Sequence, residues 1–309
     1  MHVAVTGSTG LIGSALVADL EDAGHRVVRV GRPETKGLEG GISWDPGAGS
    51  IDAAGFEGVD AVVNLAGRSI GDRRWDEREK RLLAESRIEP TRLLSETLAG
   101  LDRPPAVLLN ASAMGVYGDR GDEVLTEDSG PGEGFFPDLC VAWEDATTPA
   151  AQAGIRVATL RTAIVLSPTG GALGRMMAPF GPRWLSPYRW GLGGWLGNGK
   201  QWWSWISLED QIRAIIHLLD SDLSGPVNLA APDPVRNKEF VKAVGRALRR
   251  PVALPIPRFV LDVVLGRELA AATLFETQRV VPAKLLGDGF EFRRTDLDDA
   301  LRAALGAGP

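Results

Sequence analysis

The 309-residue chain is 44% hydrophobic and 24% charged, ordinary globular values that exclude a disordered chain or a coiled coil and allow one large domain or two closely packed ones. Forty acidic against 34 basic side chains give a net charge of −6. With no basic block in the sequence, nucleic acid held by phosphate neutralisation is excluded as a partner. The single cysteine, Cys140, excludes an internal disulfide and a cysteine-built metal site, and His2, His25 and His217 lack metal-ligand spacing.

The start of the sequence shows no charged lead into an apolar signal core, so a cytoplasmic location is expected. The apolar stretch 251–266 carries Arg258, Asp262 and three prolines, so no membrane span is expected. In chain order, VAVT predicts a strand, residues 11–23 a helix, VVRV a second strand and DAVVNLAG a third. A charged helical region follows over 73–98, with Pro90 set to kink or restart it. AVLLNAS, a helix over 139–153 and IRVATLRTAIVL continue the alternation. The fold class is therefore α/β: a doubly wound parallel sheet over residues 1–165, with a smaller C-terminal α/β lid region over 166–309. The second region begins rich in Gly, Pro and Trp, with six of nine tryptophans between Trp184 and Trp205. A helix over 208–219 and PVNLA look like returns to the sheet, which is completed by about 202–230, whereas 237–249 and the apolar last third build the lid.

In TGSTGLIG, Gly7, Thr9, Gly10, Leu11, Ile12 and Gly13 form a loop that follows the first strand and opens the first helix. There Gly7 permits the tight turn, Gly10 lets backbone approach a pyrophosphate and Gly13 allows the helix to pack closely on the strand. This spacing, with NLAG at 64–67, VYGD at Tyr117 and TEDSGP at Thr126, resembles the extended short-chain dehydrogenase/reductase superfamily of epimerases and dehydratases. NLAGRSI, RRW at 73–75, SRI at 86–88, SAMGVYG, CVAWE, GNGKQWWSWI and PVRNKEF resemble its atypical, largely uncharacterised epimerase-like branch. The resemblance covers nearly the whole chain and implies a nicotinamide dinucleotide at the carboxyl ends of the strands, under a C-terminal lid.

The second strand ends VVRVGRP, with no acid to hold the ribose 2′-hydroxyl of NAD; Arg32 offers a guanidinium fork for the 2′-phosphate of NADP. The expected cofactor is NADP. From the resemblance, Asp45 in SWDP meets the adenine, Leu65, Ala66 and Gly67 line the cofactor with Val165, and Arg87, at a position where relatives carry asparagine, turns toward it.

Members of the superfamily use a Tyr, a Lys four residues on, and a Ser or Thr. The only tyrosines, Tyr117 and Tyr188, are followed four residues later by Gly121 and Leu192, so the pair is missing. Anchoring on Glu144 places Phe136 at the tyrosine position and Cys140 at the lysine position. Ser112, next to Ala113 at the serine position, and Tyr117 are the remaining catalytic candidates; Tyr117 reads more as a cleft wall than as an acid. Cys140 reads as a core residue.

GNGKQWWSWI resembles the segment where sugar-nucleotide enzymes of the superfamily carry a diphosphate-binding arginine, and the resemblance puts Trp203 at that position, which implies that phosphate recognition is lost and an apolar surface gained. Trp203 and Trp205 are expected to line a cleft for a small apolar or aromatic carbonyl or alcohol, unless the tryptophans simply pack the lid. Three readings follow: an NADP-dependent oxidoreductase, protonated by Ser112, water or the substrate; an NADP(H)-binding redox-sensing or regulatory protein without turnover; and a sugar-nucleotide epimerase or dehydratase. The partner expected is a small-molecule substrate, and the sequence names no protein partner.

Overall fold

Short β-branched runs separated by amphipathic stretches fold as alternating strands and helices in the computed structural model, which describes residues 1–35, 38–177, 188, 193–252 and 254–306. The first half runs β1 (His2–Thr6), α1 (Leu11–Asp22), β2 (Arg26–Gly31), β3 (Ile42–Asp45), β4 (Ser50–Ile51), β5 (Ala61–Asn64), α2 (Glu77–Glu85), α3 (Ile88–Ala99), β6 (Val107–Ala113), β7 (Val124–Leu125), α4 (Phe135–Asp145) and α5 (Thr148–Gln152). It continues through β8 (Arg156–Thr162), β9 (Ile164–Leu166), α6 (Gly171–Met177), β10 (Trp202–Trp203), β11 (Trp205–Ser207), α7 (Leu208–Asp220), β12 (Gly225–Leu229) and β13 (Val235–Arg236). The remainder is α8 (Asn237–Leu248), α9 (Arg258–Leu265), α10 (Arg267–Ala270), β14 (Arg279–Val280), α11 (Ala283–Gly287) and α12 (Leu297–Leu305).

Eight strands form the main sheet in the order β12-β8-β6-β5-β1-β2-β3-β4, and all its pairings are parallel except β3 with β4. Strand order reverses between β1 and β5, which opens a crevice at their carboxyl ends. Both faces are buried. Val3, Val5, Val63, Leu109, Leu160 and Val227 pack under α1 and α7, and Ala4, Val62, Leu108 and Val157 pack under α3 and α5. Outside this sheet β9 pairs with β11, β10 with β13 and β14 with β7. No described helix is long and apolar enough to cross a membrane.

Three local expectations need adjusting. The helical region expected over 73–98 begins only at Glu77, and the restart expected at Pro90 comes two residues earlier, at Ile88, which leaves Pro90 in the first turn of α3, where its missing N–H costs nothing. The helix expected over 139–153 starts at Phe135 and is interrupted before α5. The tryptophan strand breaks at Ser204, whose hydroxyl donates to the Gln278 carbonyl and accepts from the Val280 amide, both at 2.8 Å. Trp184 and Trp190 lie outside the described residues.

Candidate functional site

At the crevice, Gly7 has φ +62°, and a Cβ there would lie 2.6 Å from the Leu65 carbonyl oxygen. A Cβ on Gly13 would stand 2.2 Å from the Gly7 oxygen. The two glycines thus let the β1 loop, α1 and the end of β5 approach within backbone contact. Gly10 is the N-cap of α1 and puts no side chain over the first turn, which holds no acidic residue. Thr9 and Gly10 are exposed, while Leu11 and Ile12 turn inward, Leu11 against Gly170 and Ile12 against the core that includes Val165. The helix N-terminus is left with free N–H donors and no anion of its own, which fits a pyrophosphate.

Thr6 locks this loop to the next one: its hydroxyl donates to Asn64 Oδ1 at 2.6 Å and accepts the Leu65 and Ala66 amides at 3.0 and 3.1 Å. Asn64 Nδ2 donates in turn to Asn110 Oδ1 and to Thr91 Oγ1, which also accepts from the Trp143 indole. The buried hydrogen bonds fix the path of Leu65, Ala66 and Gly67. A Cβ on Gly67 would stand 3.6 Å from Arg87 Cζ.

Arg87 is buried, and burial pulls its guanidinium down to about 10. It donates to the Arg68 carbonyl at 2.6 Å, to the Leu83 carbonyl and to Ser86 Oγ, and it lies over the Trp143 ring. Among the described residues no carboxylate pairs with it. Farther out, at the ends of β2 and β3, Arg32 Nε and Asp45 Oδ1 are 4.0 Å apart, with both side chains well exposed. Asp45 also accepts the Gly47 amide, which directs its carboxylate along the rim.

The catalytic candidates sit differently. Phe136, at the tyrosine position, is buried against Gly115, where a Cβ would be 2.2 Å from its ring, and makes an edge contact with Trp75, as does Phe135. Cys140 is buried beneath, and burial, reinforced by Glu144, pushes its thiol up to about 12. Arg161 makes two 2.9 Å hydrogen bonds to Glu144, and Ser112 donates to Glu144 Oε1 at 2.6 Å. Arg161 also donates to Tyr117, whose hydroxyl donates to Asn228 Oδ1 at 2.7 Å. Burial opposes the charge on Arg161, but the Glu144 carboxylate overrides it and holds the guanidinium protonated.

This corrects two site expectations. The Ser112 proton is committed to a buried carboxylate, and Tyr117 is fully buried with its hydroxyl held on both sides, its proton raised above the ordinary phenol range mainly by burial. Ser112 lies on the face of β6 that packs toward α4, as the alternation of the strand requires, and both residues are parts of an internal ion-pair network. Arg161 and Asn228 complete this network; the one signal for it in the sequence is an arginine inside the apolar run IRVATLRTAIVL, which demands a buried partner.

Trp203 and Trp205 need the same correction. Both belong to the second core cluster: Trp203 makes an edge contact with Phe240, and Trp205 is fully buried with its indole on the Asp233 carbonyl. They pack the core of the C-terminal region and do not line the crevice. Trp202 lies apart, stacked under the guanidinium groups of Arg236 and Arg279 at 4.0 and 4.6 Å and bonded to Asp122.

A doubly wound parallel sheet with a glycine loop opening α1 at the strand-order reversal defines a Rossmann-like nucleotide-binding protein with an added C-terminal region. Residues 3–230 match the model of the NAD dependent epimerase/dehydratase family, to which the chain therefore belongs, in the atypical extended short-chain dehydrogenase branch; residues 256–304 match a domain of unknown function, DUF1731. The epimerase family protein Mb2239 of Mycobacterium bovis is 45% identical over 97% of this chain and 96% of its own. The Bacillus subtilis epimerase family protein YfhF is 32% identical over 97% of each. A crystal structure of the human epimerase family protein SDR39U1 (isoform 2) with NADPH superposes with a TM-score of 0.88 at 34% identity, covering 99% of both chains.

Proposed function

We propose that the protein is an NADP(H)-dependent oxidoreductase acting on a small, mainly apolar or aromatic carbonyl compound or alcohol. The observation that carries this reading is the fit of the glycine cradle: an uncapped α1 N-terminus, with Gly7 and Gly13 in contact too close for a Cβ, beside a buried Arg87 that has no acidic partner among the described residues. Arg32, with no acid at the end of β2, suits a 2′-phosphate, and the human relative was crystallised with NADPH. When bound, the nicotinamide supplies or accepts the hydride. The chain's part is to hold the pyrophosphate on the α1 amides, to anchor the ribose phosphate with Arg32 and to present an apolar wall of Phe136, Trp75 and Phe135 that excludes water. Because Phe136 and Cys140 replace the usual pair and the hydroxyls of Ser112 and Tyr117 are engaged, the proton comes from water or from the substrate. The location is cytoplasmic and the partner a small molecule.

The engaged hydroxyls also favour a second reading, an NADP(H)-binding redox sensor without turnover. Purifying the protein with its retained dinucleotide and following reduced-nicotinamide absorbance across a carbonyl library separates the two: turnover removes the sensor, and stoichiometric NADPH that never turns over removes the enzyme. The NADP assignment itself predicts tighter binding of NADPH than of NADH, with the difference erased in Arg32→Ala; equal affinities in the wild type would sink it.

A further inference from the structure

The C-terminal end of α8, in the lid region, carries a feature that the dinucleotide site does not use. Lys242, Arg246, Arg249 and Arg250 line one open hollow of about 420 Å³, floored by Gly245, Pro251 and Val252. Helical spacing sets Lys242 and Arg246 on one face, and Gly245 lets the chain fold back over them, since a Cβ there would lie 2.6 Å from Val252 Cγ2 and 2.9 Å from the Arg250 carbonyl oxygen. The turn is closed by Arg249 N–H to the Arg246 carbonyl at 3.0 Å and Arg250 N–H to the Gly245 carbonyl at 2.9 Å.

Two features of this end are unusual. Arg249 has φ 53° and ψ 44° and is the one non-glycine residue at positive φ among the described residues. Glycine is the usual occupant of such a left-handed helix stop, because any Cβ there crowds the following carbonyl. The charges are also unbalanced. Arg246 is neutralised by two hydrogen bonds to Asp298, at 2.8 and 2.6 Å, but the side chains of Lys242, Arg249 and Arg250 have no acidic partner among the described residues. Three unpaired cations share one hollow in a chain whose net charge is −6.

We propose that this hollow binds a phosphate-bearing anion. A guanidinium on a strained backbone is held where a glycine would fold more easily, and it faces the same space as two further free cations, a donor set suited to phosphate oxygens. Pro251 and Val252 offer an apolar floor to whatever carbon skeleton carries the phosphate. The site stands apart from the dinucleotide cradle and does not depend on it.

The test is calorimetric titration of the full chain with inorganic pyrophosphate in the Gly13→Ala background, where the cradle is blocked, together with thermal unfolding. Binding should be salt-sensitive and weaken about tenfold in each of Lys242→Ala, Arg249→Gly and Arg250→Ala. Arg249→Gly should at the same time raise the unfolding temperature, because it relieves the left-handed backbone. Cosedimentation with vesicles containing an anionic phospholipid, lost in these variants, would assign the phosphate to a lipid headgroup; pyrophosphate binding without vesicle binding would assign it to a soluble compound. Absence of binding to either probe would overturn the proposal. So would binding unchanged by the three substitutions, or a lower unfolding temperature in Arg249→Gly with unchanged affinity, which would leave the cation serving the helix end alone.

Discussion

Replacing Arg161 by methionine separates a structural role of the Glu144 network from a catalytic one. Both side chains are nearly buried, 10% and 14% exposed, and the guanidinium supplies two of the three hydrogen bonds that hold the carboxylate. In Arg161→Met, Glu144 keeps only Ser112, so a buried charge loses its partner at a cost of roughly 3–5 kcal/mol, and Tyr117 loses a donor worth about 1 kcal/mol. An unfolding entropy that scales with chain length converts this to a fall of roughly 6–10 °C in melting temperature. The double variant Glu144→Leu/Arg161→Met removes both charges and should recover most of the loss, because a buried ion pair is worth little against apolar packing of similar volume. Thermal unfolding followed by circular dichroism reads the stability, and NADPH titration by fluorescence reads the site. A melting temperature within about 1–2 °C of wild type in Arg161→Met, or a double variant no better than the single, would refute the reasoning. Loss of NADPH affinity at unchanged stability would place the pair in the binding site instead.

Gly13→Ala should fold with a loss of about 1–3 kcal/mol and bind NADPH far more weakly, since the new Cβ meets backbone atoms of Gly7 and Ser8 that cannot yield without moving the cradle; wild-type affinity by fluorescence titration would contradict this. Cys140, its thiol pushed up to about 12 by burial and then by Glu144, should resist iodoacetamide at pH 8 in the folded protein and react only after unfolding, as mass spectrometry would report. Glu276 is pushed up to about 7, first by burial and then by Asp119. Its unfolded counterpart ionises near 4.5, so the folded state holds the extra proton and stability should fall as pH rises from 4.5 through 7, by on the order of 1–2 kcal/mol after allowance for partial solvent access. Glu276→Gln should abolish that slope and melt higher than wild type at pH 8; an unchanged pH profile would remove Glu276 as its source.

The sequence by itself determined the sheet and the cradle. Continuous β-branched runs such as VAVT and DAVVNLAG can only be central parallel strands when helical spacing separates them, and glycines at 7, 10 and 13 after such a strand report a backbone approach that the close contacts of Gly7 and Gly13 require. The absence of a tyrosine–lysine pair was also a matter of counting. What only the tertiary structure decided was which way individual polar and aromatic side chains turn. Ser112 and Tyr117 stand as catalytic candidates until α4 and β12 bring Glu144 and Asn228 to their hydroxyls across separations of 32 and 111 residues, distances at which no local pattern carries information. Trp203 and Trp205 read as a cleft wall, but Phe240 packs against the Trp203 ring and the Asp233 carbonyl takes the Trp205 indole, so both lie in the core. Periodicity fixes faces within an element; the partner that satisfies a buried hydroxyl, charge or indole is set by packing between elements far apart in the chain.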